Sequence, residues 1–172
     1  MITANRVLTR WNELDEDTAA AEILPCCGSI RWARELARKR PLANETDLFH
    51  HSDVVWLNLT QDDWNEAFCS HPRIGERAGT RATQQSAEWS QQEQDRVSDA
   101  DEETRARLEQ GNKRYEERFG HIFIVCASGK SALEILASLE RRLQNDAQVE
   151  LREAAEQQRQ ITQLRLRKWL DT

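Results

Sequence analysis

His71 has the clearest chemical potential in this sequence. It precedes Pro72 and opens the most glycine-rich stretch of the chain, residues 71–80. Glycine and proline favour a loop, and loops on a rigid helical frame often carry reactive side chains. An imidazole near its reference pKa of about 6.5 can donate or accept a proton at neutral pH. The plainer alternative is a structural histidine that meets the dipole of a helix C-terminus.

Three side chains of complementary chemistry follow about twenty residues later. Ser90, Glu93 and Gln94 bring a hydroxyl, a carboxylate and an amide into one turn. If this turn faces the loop that begins at His71, the set suits a small polar ligand rich in N–H and C=O groups. The segment Ser90-Gln91-Gln92-Glu93 also matches a capping box, in which serine and glutamate only begin a helix.

Arg165 is one of several arginines near the end of the chain, with Arg159 and Arg167 close by. A solvated helix face is the ordinary role for such residues. A functional role requires Arg165 to point inward, where its guanidinium could hold a carboxylate through two hydrogen bonds. The flanking residues Leu164 and Leu166 do not decide which way it points.

The histidines and cysteines lack the spacing of a metal site. His50 and His51 are neighbours in a predicted helix, where adjacent side chains point about 100° apart and cannot easily bind one ion. Cys26 and Cys27 are also adjacent, and the four cysteines form no CxxC pair. We therefore expect no metal, and four reduced thiols, several of them buried, in a reducing compartment.

Charge and hydropathy exclude several classes of function. The formal net charge is −6 over 172 residues. Nucleic-acid-binding proteins usually carry a basic excess, so no nucleic-acid partner is expected. No stretch approaches 18 consecutive apolar residues and the first residues lack a secretion signal, which predicts no membrane partner and a cytoplasmic location. Gly129-Lys130-Ser131 lacks the upstream glycine of a phosphate-binding loop, because Ile124 occupies that position.

Helix-forming residues dominate the composition, and the spacing of apolar residues predicts helices separated by short loops. Residues 1–172 are expected to form one all-α domain, a helical bundle of about seven or eight helices. The predicted helices cover residues 19–24, 30–40, 48–59, 61–70, 86–96, 99–119, 131–144 and 146–170. Leu133, Leu136, Leu139 and Leu143 are expected to form the buried face of the penultimate helix.

One short segment departs from the helical pattern. Residues 122–127 are the only run rich in β-forming residues. The run is too short and too isolated to build a sheet. We interpret it as an extended, buried connector between two helices.

Four segments occur in an order and at spacings that resemble a known family. They are His71-Pro72-Arg73-Ile74-Gly75, Ser90-Gln91-Gln92-Glu93-Gln94, Asn112-Lys113-Arg114-Tyr115-Glu116-Glu117-Arg118-Phe119-Gly120-His121-Ile122-Phe123-Ile124-Val125-Cys126-Ala127 and Leu164-Arg165-Leu166. Together they resemble the 2-oxo-4-hydroxy-4-carboxy-5-ureidoimidazoline (OHCU) decarboxylases of urate breakdown. The resemblance covers nearly the whole chain. Leu24-Pro25-Cys26-Cys27-Gly28-Ser29 and Trp32 are similar to the bacterial branch of that family.

The resemblance implies an all-α homodimer that binds a small urate-derived imidazoline and uses neither a metal nor an organic cofactor. The implied reaction is decarboxylation of this unstable intermediate to (S)-allantoin and carbon dioxide. His71 matches the family's catalytic histidine, Glu93 its key carboxylate and Arg165 its substrate-holding arginine. The implied substrate-binding residues are Pro72, Ser90, Gln94 and the main chain of Phe123, Ile124, Val125, Cys126 and Ala127.

The sequence departs from the family pattern at two places. Arg73 stands where many members carry aspartate. His121-Ile122 follows Gly120 where a Phe-Pro pair is common. Neither departure touches the implied catalytic residues, and His121 becomes a secondary candidate for a ligand contact.

Two other functions remain open at this point. A non-enzymatic helical interaction domain would show the same charged helices and leucine stripes. A hydrolase acting on the preceding urate-derived intermediate, 5-hydroxyisourate, would use the same polar side chains to activate water. The decarboxylase interpretation requires His71, Glu93 and Arg165 to meet at one substrate.

Overall fold

The computed structural model describes residues 5–74, 84–94 and 100–172. In these ranges the chain forms nine α-helices and one short 3-10 turn and contains no β-strand, which confirms the predicted all-α fold. The helices are α1 (Arg6–Glu13), α2 (Glu16–Ile23), α3 (Ile30–Ala37), α4 (Glu45–Leu57), α5 (Gln61–Phe68), α6 (Gln84–Glu93), α7 (Glu102–Phe119), α8 (Ala132–Arg142) and α9 (Ala147–Leu170). None of the described helices is both long and apolar enough to cross a membrane.

The described chain divides into two compact units. The first comprises residues 5–67 together with Arg159–Thr172, and the second is Phe68–Gln158. Residues 75–83 and 95–99 of the second unit lie outside the described residues, and they include most of the predicted glycine-rich loop and the end of the fifth predicted helix. That the whole chain forms one domain stays a prediction.

Helix ends follow from side chains that satisfy the backbone. Most helices begin at a residue whose side chain accepts a backbone N–H group, a contact that stabilises a helix by about 1 kcal/mol. These N-caps include Asn5, Asp15, Ser29, Asn44, Asp101 and Ser131. Ser131 and Glu134 form the predicted capping box. α7 ends at Gly120 with φ +76°, the left-handed conformation that glycine adopts most readily.

α1 is a helix that the sequence analysis did not predict. The Asn5 side chain caps it, and Leu8 and Trp11 on one face are buried. Its eight residues carry only these two large apolar anchors. The apolar period was therefore too short to stand out from its polar surroundings.

The core of the first unit is built around tryptophans. Trp11, Trp32 and Trp56 are at most 2% exposed. The indole N–H of Trp11 donates to the carbonyl of Ala19 at 2.9 Å, and that of Trp32 donates to the carbonyl of Ser52 at 3.3 Å. These two large apolar rings are therefore buried with their polar atoms paired.

α7 and α8 pack closely in the second unit. Tyr115, Phe123, Ile135 and Leu139 are buried in its core. Gly111 on α7 faces Leu139 on α8, and a Cβ added at Gly111 would lie 2.6 Å from the Cδ2 atom of that leucine. The lack of a side chain at Gly111 therefore leaves room for Leu139.

The buried face of α8 differs from the predicted one by one position. Leu136, Leu139 and Leu143 are buried as expected. Leu133, however, is 62% exposed, and Ile135 takes its place in the core. The prediction for Leu133 was wrong because Ile135, Leu136, Leu139 and Leu143 form a stripe about 100° wide, and Leu133 falls about 60° beyond its edge.

Candidate functional site

His71 lies just beyond the end of α5. Its backbone N–H donates to the carbonyl of Phe68 at 3.1 Å, which closes the last turn of the helix. The residue is only 8% exposed, its Nε2 atom is buried and Pro72 is buried beside it. The imidazole therefore occupies a partly dehydrated environment, in which a charge interacts more strongly than in water.

α7 anchors the turn that carries His71. Arg73 makes two hydrogen bonds with the Glu116 carboxylate, of 2.6 and 2.9 Å. The Asn112 side chain donates to the carbonyl of Ile74 at 3.3 Å. Asn112 and Glu116 are four residues apart on one face of α7, so a single helix fixes the turn at two points. Arg73, which departs from the family pattern, has a specific partner in this chain.

α6 and the residue directly after it carry the predicted hydroxyl, carboxylate and amide. Ser90 is buried within the helix, and the backbone N–H of Gln94 donates to its carbonyl at 3.2 Å. The capping-box interpretation of Ser90 is wrong, because the described helix is already under way at Gln84. Ser90, Glu93 and Gln94 have the spacing i, i+3 and i+4, which places them on one helix face. Glu93 and Gln94 are half-buried.

Residues 122–127 form a buried connector that is neither helix nor strand, as predicted. Several of its main-chain groups have side-chain partners. The Ile124 carbonyl accepts from Arg142 at 2.7 Å, and the Cys126 N–H donates to the side chain of Gln157 at 2.9 Å. Lys130 donates to the Cys126 carbonyl at 2.5 Å. Any substrate contact from this segment would use its other peptide groups.

A buried polar network next to the connector was not anticipated from the sequence. Arg142 and Glu150 form an ion pair with no exposed surface on either side chain. The Tyr115 hydroxyl donates to Glu150, and the Arg142 guanidinium lies 4.5 Å from the centre of the Phe123 ring. Burial raises the pKa of Tyr115 above its ordinary range. Nothing in the pair Arg141-Arg142 shows that only the second arginine is buried.

His121 packs within an aromatic cluster. Its ring centre lies 5.2 Å from that of Phe68 and 5.5 Å from that of Tyr115. Its Nδ1 atom is 3.0 Å from the Ile122 carbonyl. Burial lowers the pKa of His121, so the neutral imidazole is favoured. Its role as a ligand contact stays a prediction.

Arg165 belongs to the first unit and is completely buried. The solvated role considered for it is therefore wrong, and the inward orientation that a functional role requires is present. One N–H of its guanidinium donates to the carbonyl of Pro25 at 3.4 Å. The buried thiols of Cys26 and Cys27 lie within its electrostatic influence, and burial raises the pKa of Cys27 to about 12.

The remaining chemical predictions concern thiols and metals. All four cysteines are free, with Cys26, Cys27 and Cys126 buried and Cys69 exposed, which confirms the prediction that several of the thiols are buried. In the part of the chain that the structure describes, no three His, Cys, Asp or Glu side chains are placed to hold a metal ion. All the predicted site residues except Arg165 lie in the second unit, and their meeting at one substrate stays a prediction.

Known proteins resemble this chain over most of its length. A family model described as OHCU decarboxylase matches residues 12–167. The 2-oxo-4-hydroxy-4-carboxy-5-ureidoimidazoline decarboxylase of Haloferax volcanii is 30% identical over 92% of this chain and 93% of its own length. The uric acid degradation bifunctional protein TTL of Arabidopsis thaliana is 34% identical over 83% of this chain, which spans only 44% of that longer protein.

Two solved structures are also similar to this chain. An OHCU decarboxylase crystallised in the presence of (S)-allantoin has a TM-score of 0.76 and 32% identity, and the match covers 88% of this chain and 98% of that one. An (S)-allantoin synthase superposes with a TM-score of 0.73 at 18% identity, which supports the fold alone. The mouse decarboxylase is as similar to this chain as the archaeal one, at 30% identity, so these relatives do not support a specifically bacterial branch.

Proposed function

Since the chain belongs to the OHCU decarboxylase family and is a decarboxylase, we propose that it converts 2-oxo-4-hydroxy-4-carboxy-5-ureidoimidazoline to (S)-allantoin and carbon dioxide during urate breakdown. The observation that carries this proposal is that the family match spans residues 12–167 and therefore includes His71, Glu93 and Arg165. The complete burial of Arg165 supports a role other than that of a solvated surface charge.

The chemistry can proceed without a cofactor because the substrate supplies its own electron sink. Loss of carbon dioxide breaks the bond between the carboxyl group and the ring carbon that also carries the hydroxyl group. The electron pair forms a C=C bond to the neighbouring ring carbon, and the π electrons of the C=N bond move to its nitrogen, which takes up a proton. A proton then adds to one face of the neighbouring carbon and fixes the S configuration, while the hydroxyl group loses its proton and becomes a ring carbonyl. The protein needs to orient the carboxylate, stabilise the displaced charge and supply one proton.

Each proposed role fits the chemistry of its side chain. His71 delivers the proton as general acid, from a buried position at the end of α5. Glu93 accepts hydrogen bonds from N–H groups of the ring or the ureido arm, beside the hydroxyl of Ser90 and the amide of Gln94. Arg165 binds a carbonyl oxygen or the developing negative charge. Pro72 and the main chain of residues 123–127 line the ring.

Two further properties are proposed for the working protein. It acts as a homodimer in the cytoplasm. The family resemblance supports the dimer, and four free thiols suit a reducing compartment. Light scattering should give twice the 20.0 kDa mass of the chain, and a mass of 20.0 kDa at working concentration would refute the dimer.

Product chirality provides the test of the activity. The substrate decays spontaneously to racemic allantoin, so freshly generated substrate is mixed with the purified protein and the product is followed by circular dichroism. Enantiopure (S)-allantoin with accelerated release of carbon dioxide supports the proposal. Racemic product at the spontaneous rate would contradict it and favour a non-enzymatic interaction domain. Consumption of 5-hydroxyisourate without release of carbon dioxide would favour the hydrolase.

A further inference from the structure

The main chain of the connector is held by side chains of neighbouring helices, and we infer that Gln157 and Arg142 are positioning residues for the decarboxylation. They fix the peptide groups on either side of Val125, which lies in the segment proposed to line the substrate ring. This inference rests on the proposed function and adds residues to it that do not touch the substrate.

The connector needs external partners because it has no hydrogen-bond ladder of its own. A buried backbone group outside a helix or a sheet must be paired by a side chain or by water. In this segment the Ile124 carbonyl accepts from Arg142, and the Cys126 N–H donates to Gln157. These two contacts secure consecutive peptide planes, the one before Val125 and the one after it.

One contact comes from Gln157 of α9, and the other comes from Arg142 at the end of α8, which Glu150 of α9 holds. Glu150 and Gln157 are seven residues apart and therefore share one face of that helix. Glu150 holds the guanidinium of Arg142 through contacts of 2.6 and 2.8 Å. The arginine is further fixed by its position 4.5 Å from the Phe123 ring centre. The partners of the Ile124 carbonyl and the Cys126 N–H thus form one rigid surface.

Peptide planarity carries this geometry to the opposite side of the connector. In a trans peptide the C=O and the N–H point in opposite directions, and the peptide bonds of this segment are trans. Because the Ile124 carbonyl points to Arg142 and the Cys126 N–H points to Gln157, the N–H and C=O of Val125 point away from these two partners. One residue therefore presents a donor and an acceptor together, which is the complement of a ring –NH–C(=O)– unit.

Gln157 offers the cleaner test because it is neutral and only half-buried. Gln157→Leu removes the acceptor for the Cys126 N–H, whereas Gln157→Glu retains an oxygen acceptor. We expect Gln157→Leu to raise KM and to lower the enantiomeric excess of the allantoin. We also expect kcat/KM to fall by about ten- to hundredfold, since small misplacements of a substrate have effects of that size. Gln157→Glu should remain within about threefold of the wild type.

Arg142→Lys supplies a second variant that keeps the positive charge next to Glu150. A lysine is a point charge and cannot donate to the Ile124 carbonyl and hold Glu150 with the same forked geometry. Because the charge is kept, the Arg142→Lys variant should fold. Because the forked geometry is lost, it should show the same rise in KM and the same lower enantiomeric excess of allantoin as Gln157→Leu. Arg141→Met, at the exposed neighbouring arginine, is the control and should change neither.

The wild-type enzyme is assayed first, so that two kinds of failure remain distinct. If the wild type gives only racemic product, the proposed function fails and this inference fails with it. If the wild type is active and folded Gln157→Leu retains its KM, kcat and enantiomeric excess, the positioning role is refuted while the proposed function stands. A lower melting temperature with unchanged kinetics would likewise assign Gln157 a structural role only.

Discussion

Arg142 and Glu150 form an ion pair without exposed surface, with 2.6 Å between Nη2 of the arginine and Oε1 of the glutamate. The pair joins the end of α8 to the first turn of α9. Tyr115 and Asn145 donate further hydrogen bonds to the same carboxylate. The buried carboxylate of Glu150 therefore has its counter-charge in Arg142 and hydrogen-bond donors on both of its oxygens.

Removal of one partner should therefore be far more harmful than removal of both. Arg142→Met leaves a buried carboxylate without its counter-charge and should lower the free energy of unfolding by about 3–5 kcal/mol. The double variant Arg142→Met with Glu150→Leu should recover much of that loss. Urea denaturation of the four proteins of this cycle measures the coupling. Additive losses would show that the two charges do not depend on each other.

Gly111 should resist replacement by alanine although it lies inside a helix. Alanine normally stabilises a helix by about 1 kcal/mol relative to glycine. Here its Cβ would lie 2.6 Å from the side chain of Leu139, which is itself fully buried. We expect Gly111→Ala to destabilise the protein by about 1–3 kcal/mol.

The matched control for Gly111→Ala is the same substitution in a Leu139→Ala background. There the added methyl group has space, and Gly111→Ala should leave the stability of the protein unchanged or increase it. Thermal unfolding of the two single variants and the double variant provides the comparison. A Gly111→Ala protein more stable than the wild type would mean that the helices can separate at no cost.

His121 should make stability depend on pH. Burial lowers its pKa in the folded protein below the ordinary value of about 6.5. Below about pH 6.5 the unfolded chain therefore binds more protons at this residue than the folded one, so the stability it contributes is lost as the pH falls. His121→Phe keeps an aromatic ring next to Phe68 and Tyr115 but cannot titrate.

Denaturation curves recorded between about pH 5 and pH 7 measure this effect. The free energy of unfolding of the wild type should fall more steeply with decreasing pH than that of His121→Phe. Identical slopes in the two proteins would show that His121 is not held neutral in the folded state.

His71 and Glu93 should respond differently to substitution. His71→Asn removes the general acid and should reduce the rate by about 10²–10⁴-fold while helical content is unchanged. Glu93→Gln retains hydrogen-bonding capacity, so a milder defect with raised KM is expected. Single-turnover rates and far-UV circular dichroism separate the two effects. A His71→Asn enzyme that gives enantiopure (S)-allantoin at the wild-type rate would exclude His71 as the acid.

The helices and their ends could be predicted because they depend on local chemistry. Ser131 and Glu134 form the expected capping box, and Gly120 ends α7 as expected. The buried face of α8 was predicted with one error, because Leu133 lies only about 60° beyond the edge of the buried stripe. A short helix such as α1 gave too little periodicity to be recognised.

The polar interior could not be predicted because it depends on contacts distant in the sequence. Arg142 and Arg141 are indistinguishable in sequence, yet one is buried against Glu150 and the other is exposed. Ser90 matched a cap pattern but lies inside a helix, because a four-residue motif does not reveal what precedes it. Residue type and position marked His71, Glu93 and Arg165 as candidates, but each kept an ordinary structural alternative, and their roles came from the family resemblance.

The most direct test of the proposed site is a crystal structure of this chain with (S)-allantoin bound. We predict that one ligand molecule lies within hydrogen-bond distance of His71, Glu93 and Arg165, with its ring against the main chain of residues 123–127. A bound ligand that contacts His71 while Arg165 remains engaged elsewhere, or a ligand at a site that includes none of the three, would contradict it.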